Sequence, residues 1–164
     1  MRSMDNGQMT SPTKICFVCT GNICRSTMGE VVFRQLIAQA GVEQQFVVTS
    51  RGTHDYHEGD RADSRTLAAL SAVGYDGRSH RASRVSQQDL VENHLLVALD
   101  RGHRQILSDL GCPDDKLVLL TAYDPNRPLD PDVMDPYYGT PQDFTRVLEQ
   151  IERCCASLLE TYLH

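Results

Sequence analysis

The sequence predicts an α/β fold, a single three-layer, doubly wound domain with a central four-stranded parallel sheet. Short, continuous apolar runs alternate along the chain with longer runs in which apolar residues recur at helical spacing. Strands of this kind are buried on both faces, so helices must cover the sheet on both sides. The length of 164 residues suits one compact domain. In such a fold the ligand site lies at the carboxyl ends of the strands.

The first strand and the first helix are predicted within residues 15–41. Residues 15–19 are apolar and are followed by a turn sequence, which predicts a buried strand. A helix begins at Ser26, because apolar residues follow it at helical spacing, and it ends at Gly41. The run 46–50 is predicted as the second strand.

The rest of the chain continues this alternation. Two helical segments, 64–73 and 87–91, separate the second strand from the third, 95–99. A helix over 101–110 then leads to the fourth predicted strand, 117–120.

A loop rich in Pro and Asp, residues 121–140, precedes the last helix. A loop of this length is more often functional than a simple connection. One apolar face marks the last helix, formed by Phe144, Val147, Leu148, Ile151, Cys155, Leu158, Leu159 and Tyr162.

The charge balance argues against nucleic acid as a partner. The chain has 22 acidic residues against 16 Lys and Arg, a formal net charge of −6, whereas nucleic-acid-binding domains are basic. No apolar run approaches the roughly 20 residues of a transmembrane helix, so no membrane partner is expected. Residues 105–164 hold eleven acids and four bases. Net charge does not record a local positive site, so an anionic substrate is not excluded.

Residues 1–13 are predicted to form a flexible N-terminal tail, and residues 14–164 the domain. The tail is polar and lacks the apolar stretch of a signal peptide. The six cysteines do not have the spacing of a secreted disulfide framework or of a zinc site. We therefore expect a cytoplasmic monomer without metal or cofactor; export that needs no signal peptide stays open.

The link between the first strand and the first helix is suited to bind an anion. It reads Cys19-Thr20-Gly21-Asn22-Ile23-Cys24-Arg25-Ser26. Gly21 and Asn22 tolerate unusual backbone angles, so the loop can curl with its N–H groups directed inward. A helix N-terminus and the guanidinium of Arg25 add further donors for phosphate oxygens.

Cys19 stands where a nucleophile would meet the centre of such an anion. The loop donors and the helix dipole favour a thiolate there, and Ser26 can give it a hydrogen bond. A bare Cys-x5-Arg spacing is usually only a buried cysteine and a solvated arginine. Its position between a strand and a helix, with Gly-Asn inside and Ser after it, favours covalent phosphoryl transfer.

The segment from Val18 to Ser26, extended by Met28 and Glu30, resembles the signature of the low-molecular-weight protein-tyrosine phosphatases. The resemblance extends from Lys14 to about Tyr162. It implies the fold of that family, phosphotyrosine-containing proteins as substrates and a cysteinyl-phosphate intermediate. It also implies that the loop binds inorganic phosphate or other oxyanions, and that no metal is needed.

The resemblance assigns the site residues. Asp135, in the Asp-Pro-Tyr segment of the long loop, becomes the general acid for the leaving phenolate and then the general base for water. Tyr56, where many members have Trp, and Tyr137, with Tyr138 beside it, are expected to line a slot for a phenyl ring. The candidate catalytic residues are Cys19, Arg25 and Asp135, and the candidate substrate-binding residues are Thr20, Gly21, Asn22, Ile23, Cys24, Ser26, Tyr56 and Tyr137.

Two departures from the family pattern lie beside the loop, and a third lies after the second predicted strand. Thr27 replaces the usual Pro and Gly29 the usual Ala, and either change is expected to loosen the first helical turn. Arg51 replaces the usual Ala; it either favours acidic residues around the target tyrosine or is exposed without a role.

Other residues receive supporting roles. His80 is predicted to be a structural hydrogen-bonding residue that supports the loop. Cys24 is expected to lie close enough to Cys19 for a reversible, protective disulfide. The remaining acids of the long loop, Asp124, Asp130 and Asp132, are expected to be solvated. Their negative charge is expected to help raise the pKa of Asp135.

Three other functions remain as alternatives. Protein-arginine phosphatases share the scaffold but carry Thr at the position of Ile23. Arsenate reductases share the loop but need further cysteines, and residues 66–100 contain none. A phosphoprotein-binding module without turnover would not need Cys19, Arg25 and Asp135 together.

Overall fold

The computed structural model describes residues 11–163. Four parallel strands form one sheet in the order β2-β1-β3-β4. The strands are β1 (Thr13–Cys19), β2 (Phe46–Gly52), β3 (Leu95–Ala98) and β4 (Leu117–Leu119). The helices are α1 (Arg25–Gln39), α2 (Ser64–Ala72), α3 (Gln87–Glu92), α4 (Arg101–Asp109) and α5 (Pro141–Leu163). The predicted α/β fold with four parallel strands is therefore confirmed.

The predicted element boundaries hold to within a few residues, with one instructive error. Leu120, expected to end β4, instead begins a 3-10 helix, Leu120–Tyr123. Leu120 packs into the core beneath α5 and Leu117 on the opposite face of the sheet, as a continuing strand would also require, so the apolar pattern does not mark where β4 ends. At the other end, β1 begins at Thr13, one residue inside the predicted tail; most of that tail lies outside the described residues.

Each face of the sheet carries its own apolar core. Alternate residues of β1 point to opposite faces, as the geometry of a strand requires. Phe17 and Cys19 pack in the larger core, beneath α1, α2 and α5. Cys16 and Val18 pack in the smaller core, beneath α3 and α4. Cys16 and Cys19 therefore lie on opposite faces, which argues against a redox Cys-x-x-Cys pair.

The loops at the carboxyl edge of the sheet are joined to one another by backbone hydrogen bonds. The Thr53 N–H after β2 donates to the Cys19 carbonyl at the end of β1 (2.8 Å). The Val133 N–H, in the long loop before α5, donates to the Leu99 carbonyl after β3 (2.9 Å). Segments far apart in sequence are thereby fixed around the β1–α1 loop.

Gly29 does not loosen α1 as expected; it lets α1 approach β1 closely. A Cβ atom at position 29 would lie 2.6 Å from Cδ1 and 2.9 Å from Cγ of the Phe17 ring. Phe17 is completely buried and packs against Phe33 of the same helix. The Phe17 ring therefore occupies the space that a side chain at position 29 would need.

Within residues 11–163, the structure contains no helix long and apolar enough to cross a membrane. The longest helix, α5, keeps a polar face along its length.

The contact between Gly29 and Phe17 predicts the effect of the family's usual residue. Gly29→Ala should lower the free energy of unfolding by on the order of 1 kcal/mol, because overpacking costs about 1–3 kcal/mol and the gain in helix propensity is only about 1 kcal/mol. Urea denaturation measures the change. In a Phe17→Leu background the same substitution should cost less; stabilisation by Gly29→Ala in the wild-type chain would contradict the predicted overlap.

Candidate active site

The loop between β1 and α1 is closed around Asn22, which adopts a left-handed conformation with φ of 59°. Asparagine tolerates this region better than most residues with a Cβ atom. Its completely buried side chain donates from Nδ2 to Oγ of Ser26 (2.8 Å) and to Oγ of Ser50 (2.9 Å). Its Oδ1 accepts from the Ser83 N–H (2.9 Å). The full hydrogen-bonding capacity of one amide thus holds the curled loop.

The Asn22 carbonyl is held from the other side by His80, whose Nε2 lies 2.6 Å away. Thr27 Oγ1 donates to the same carbonyl (3.1 Å) and lies 3.2 Å from His80 Nε2. The predicted supporting role of His80 is confirmed by these contacts. Thr27 adds a hydrogen bond that proline cannot make, so this departure strengthens the link between loop and helix rather than loosening it.

Cys19 ends β1 with its sulfur 2.9 Å from Ser26 Oγ. The Asn22 amide is a donor to that hydroxyl oxygen, so the hydroxyl proton of Ser26 is available for the sulfur. A hydroxyl that donates to sulfur stabilises the thiolate over the thiol. The geometry therefore places a hydroxyl donor against the sulfur of Cys19.

Arg25, the first residue of α1, is buried with its guanidinium fixed on one side. Nη1 donates to Asp100 Oδ2 (3.0 Å) and to the Val133 carbonyl (2.9 Å). Nη2 lies 3.5 Å from Oδ2 of Asp135. Because the guanidinium is held from behind, its charge remains directed at the loop without side-chain rearrangement.

Asp135 is the half-exposed carboxylic acid of the site. Its Oδ1 accepts from the Tyr137 N–H (3.1 Å), while Oδ2 faces Arg25. Pro136 between them restricts Asp135 to an extended conformation. The long loop thus presents one carboxyl group directly above the arginine of the other loop.

These groups line a single cavity of about 360 Å³. A volume of this size suits a small substrate group. The cavity is lined by Cys19, Thr20, Gly21, Ile23, Cys24, Arg25, Tyr56, His57, Asp135, Tyr137 and Tyr138. Its lining combines the sulfur of Cys19, the cation of Arg25 and several aromatic rings.

The two aromatic walls are built differently. Tyr56 stacks on His54, with the ring centroids 4.9 Å apart and the planes 13° from parallel, and is 69% exposed. Tyr137 is fixed by Arg65, whose Nη1 donates to its carbonyl (2.9 Å) and whose guanidinium lies over its ring. Arg65 is in turn held by both carboxylate oxygens of Asp63, at the start of α2.

Comparison with known proteins agrees with this arrangement. The family model "Low molecular weight phosphotyrosine protein phosphatase" matches residues 14–163. The chain belongs to this family. Its relatives include the "Low molecular weight protein-tyrosine phosphatase A" of Mycobacterium tuberculosis (strain ATCC 25618 / H37Rv), 42% identical over 151 residues that are 92% of this chain and 91% of that protein.

Solved structures of phosphatases share the fold. A protein tyrosine phosphatase from Entamoeba histolytica, with Hepes in its active site, has a TM-score of 0.86 and 31% identity, over 92% of this chain and 97% of that one. A Drosophila arginine phosphatase has a TM-score of 0.85 and 26% identity, over 93% and 99%. The chain is thus an enzyme, a protein-tyrosine phosphatase of the low-molecular-weight class.

The structure brings most of the predicted site residues of this phosphatase together, with one distinction. Cys19, Arg25, Asp135, the walls Tyr56 and Tyr137, and the loop residues Thr20, Gly21, Ile23 and Cys24 all line the cavity. Asn22 and Ser26, predicted to bind substrate, lie completely buried behind the loop and do not line it. The Asn22 amide binds Ser26, Ser50 and Ser83 and so shapes the loop, while the Ser26 hydroxyl contacts the Cys19 sulfur.

The long loop corrects the expectation for its other acids. Asp124 is buried and binds Arg153 of α5 (Nε to Oδ1, 3.0 Å), so it anchors the start of the loop to that helix. Asp132 pairs with Arg101 of α4. The hydrogen bond from Arg101 lowers the pKa of Asp132. Of the three acids, only Asp130 is exposed without an ion pair among the described contacts.

Arg51 does not reach the cavity. Its Nε lies 3.2 Å from Oδ2 of Asp89 in α3, and its Nη1 donates to the Ser50 carbonyl. The suggestion that it selects acidic residues near the target tyrosine therefore has no support from its position. It joins β2 to α3 on the far face of the sheet.

Cys24 lies in the cavity wall with Cys19, and both are free thiols. Burial raises the pKa of Cys24 to about 12, so it is a thiol at neutral pH and not a second nucleophile. Cys155, predicted on the apolar face of the last helix, is buried, and so is its neighbour Cys154. Among the described residues no group of His, Cys, Asp and Glu is arranged to hold a metal ion.

Two residues that hold the loop were not predicted from the sequence. Asp100 and His103, between the end of β3 and the first turn of α4, contact Arg25 and Thr20. Asp100 caps α4, accepting from the His103 N–H, and also binds Arg25. His103 Nε2 lies 2.9 Å from Thr20 Oγ1. Asp100 follows a buried strand at the carboxyl edge of the sheet, and that position was the available signal.

The environment of His103 favours its neutral form. Burial, and then the nearby charge of Arg25, lower the pKa of this imidazole to about 4. The ring therefore carries no charge at neutral pH and takes part in hydrogen bonding only.

This shift predicts a loss of stability in mild acid. Above pH 6.5 the ring is neutral in both states; between pH 6.5 and about 4 only the unfolded chain binds the proton. The free energy of unfolding should fall across that window by up to about 3 kcal/mol through this residue. His103→Gln should flatten the pH dependence measured by urea denaturation. An unchanged slope in that variant would contradict the buried, neutral imidazole.

Proposed function

We propose that the enzyme hydrolyses phosphotyrosine in proteins with Cys19 as nucleophile, Arg25 as phosphate-binding residue and Asp135 as general acid and base. The observation that carries this assignment is their convergence on one cavity. The sulfur lies at the cavity floor, the guanidinium is fixed beside it, and the carboxyl group lies above the guanidinium. Cys19 and Arg25 flank the β1–α1 loop, and Asp135 comes from the long loop before α5, both at the carboxyl edge of the sheet.

In the first step the Cys19 thiolate attacks phosphorus, forming an S–P bond while the P–O bond to the phenyl ring breaks. Protonated Asp135 gives its proton to the departing phenolate oxygen, so tyrosine leaves neutral. Arg25 and the inward N–H groups of the loop stabilise the negative charge on the non-bridging oxygens of the phosphoryl group. The fixed guanidinium needs no reorganisation at that moment.

In the second step water hydrolyses the cysteinyl-phosphate. The Asp135 carboxylate accepts a proton from the attacking water, an O–P bond forms, and the S–P bond breaks. Cys19 leaves as a thiolate, to which the Ser26 hydroxyl donates from 2.9 Å. The product is inorganic phosphate, and the loop is expected to bind this anion or other oxyanions.

The cavity walls favour an aromatic substrate over phosphoarginine, the competing substrate class indicated by the similarity to an arginine phosphatase. Tyr56 and Tyr137 line the rim, and a substrate aromatic ring can pack against aromatic side chains. Ile23, in the cavity wall, supplies bulk and no hydroxyl that could assist water. Comparing kcat/KM for phosphotyrosine and phosphoarginine peptides tests this choice; a preference for phosphoarginine would reverse it.

We further propose a monomer working in a reducing compartment such as the cytoplasm. The support for the compartment is the state of the cysteines, all six of which are buried and outside any disulfide. Cys24 lines the same cavity as Cys19, and a reversible disulfide between the two is part of this proposal; the raised pKa of the Cys24 thiol predicts that the bond forms slowly after oxidation of Cys19.

Removal of the nucleophile should abolish turnover. Cys19→Ser is expected to lower kcat on p-nitrophenyl phosphate by at least about 10⁴-fold, because a serine hydroxyl is a poor nucleophile without a base. The assay is run without added metal. Cys112→Ser, on the opposite face of the sheet, is the matched control. A Cys19→Ser enzyme with near-normal rates would refute the mechanism.

Removal of the acid should depend on the leaving group. Asp135→Asn is expected to lower kcat about 10²–10⁴-fold for phenyl phosphate. The loss in phosphorylation rate should be smaller for p-nitrophenyl phosphate, whose leaving group needs less protonation. Pre-steady-state burst kinetics separate that step from hydrolysis. Asp130→Asn in the same loop serves as control, and equal losses for both substrates would remove Asp135 as the acid.

A further inference from the structure

The first turn of α4 contacts both ends of the phosphate-binding loop. From this turn, buried His103 places Nε2 2.9 Å from Oγ1 of Thr20, the residue directly after the nucleophile Cys19. From the same turn, Asp100 accepts a hydrogen bond from Arg25 at the other end of the loop. One short segment, residues 100–103, thus holds the chain next to the sulfur and also the guanidinium.

The two contacts are mechanically coupled within that segment. One Asp100 oxygen, Oδ1, accepts from the His103 N–H (2.9 Å), and the other, Oδ2, accepts from Arg25 (3.0 Å). The position of the histidine backbone is therefore set by the carboxylate that also sets the position of the arginine. A shift of α4 would displace both ends of the loop together.

The proton arrangement on His103 makes it an acceptor toward the loop. Its Nδ1 lies 3.1 Å from Asp100 Oδ1, too poorly aligned for a hydrogen bond but close enough for the carboxylate to favour a proton there. A neutral ring protonated on Nδ1 has a lone pair on Nε2. Thr20 then donates its hydroxyl proton to that nitrogen.

We propose that His103 is a positioning residue for phosphoryl transfer: by binding Thr20, it ties the cysteine end of the loop to the helical turn that holds Arg25. The proposal rests on the function proposed above, in which Cys19 attacks and Arg25 stabilises. The spacing of sulfur and guanidinium matters most in the transition state, where phosphorus is bonded partly to both sulfur and oxygen. A bound phosphate ion, which is tetrahedral, demands less of that spacing.

Steady-state kinetics on p-nitrophenyl phosphate test the proposal. His103→Leu should lower kcat by about fivefold to tenfold, the usual effect of one lost hydrogen bond, with less than a twofold change in KM. His103→Gln, which returns a side-chain amide near the position of Nε2, should recover most of the loss. A purely structural role would give similar rates for both variants at temperatures where both are folded.

A double-mutant cycle then identifies the partner. Thr20→Val should reproduce the loss of His103→Leu, and the double variant should be no worse than either single variant. Additive losses, or full activity in Thr20→Val, would overturn the tie between these two side chains.

Inhibition separates transition-state geometry from anion binding. In His103→Leu the Ki for vanadate, which adopts the five-coordinate geometry, should rise about as much as kcat falls, while the Ki for inorganic phosphate should change less than twofold. Equal weakening of both anions would assign His103 to general loop stability and refute the proposal.

The control variant is His94→Leu, an exposed histidine at the opposite end of β3, which should keep wild-type kinetics. Dependence of the wild-type rate on Cys19 tests the proposed function independently. If the rate did not depend on Cys19, the mechanism itself would be refuted. If the rate depended on Cys19 but His103→Leu had wild-type kinetics, only the positioning role of His103 would be refuted.

Discussion

The site depends on one constrained residue, Asn22, which must hold a left-handed backbone and satisfy three elements at once. Its side chain binds the start of α1, the end of β2 and the segment after His80, while its carbonyl is held by His80 and Thr27. Bulk solvent does not reach these groups, because the residue is completely buried. An unsatisfied amide in such a position would cost about 1–3 kcal/mol per lost partner. The curvature of the loop, and hence the direction of its donors, follows from this one residue.

The second requirement is a buried cation in a chain of net charge −6. Arg25 is tolerated in the interior because a carboxylate and a carbonyl oxygen satisfy one side of the guanidinium. That carboxylate, Asp100, is shared with the cap of α4, so the charge of the arginine is balanced by a group the fold needs in any case. The acidic surface elsewhere on the chain does not enter this balance. Anion binding at the site is therefore a local property.

The sheet and the loop could be predicted from the sequence because each depends on residues that are consecutive in the chain. Each strand of the sheet corresponds to one apolar run, and the loop is the single segment from Cys19 to Ser26. Asp100 and His103 could not be found this way, since their contacts with the loop span 75 and 83 residues and depend on β3 lying beside β1. The ion pair of Asp124 could not be predicted either, because its partner on α5 comes 29 residues later in the chain. The role of Gly29 depends on its contact with the Phe17 ring, and the sequence does not show that contact.

Arg65 has a consequence for ligands that bind this enzyme. Its guanidinium joins the start of α2, the carbonyl of Tyr137 and the ring of Phe144 in α5, so one wall of the cavity is assembled before any ligand arrives. A flat, rigid aryl sulfonate or phosphonate would gain contact with Tyr137 without a conformational-entropy cost on the protein side. The opposite wall, Tyr56, rests on a single stacked imidazole and stays largely exposed. Inhibitors can therefore be designed with a fixed ring toward the first wall and their variable substituents toward the second.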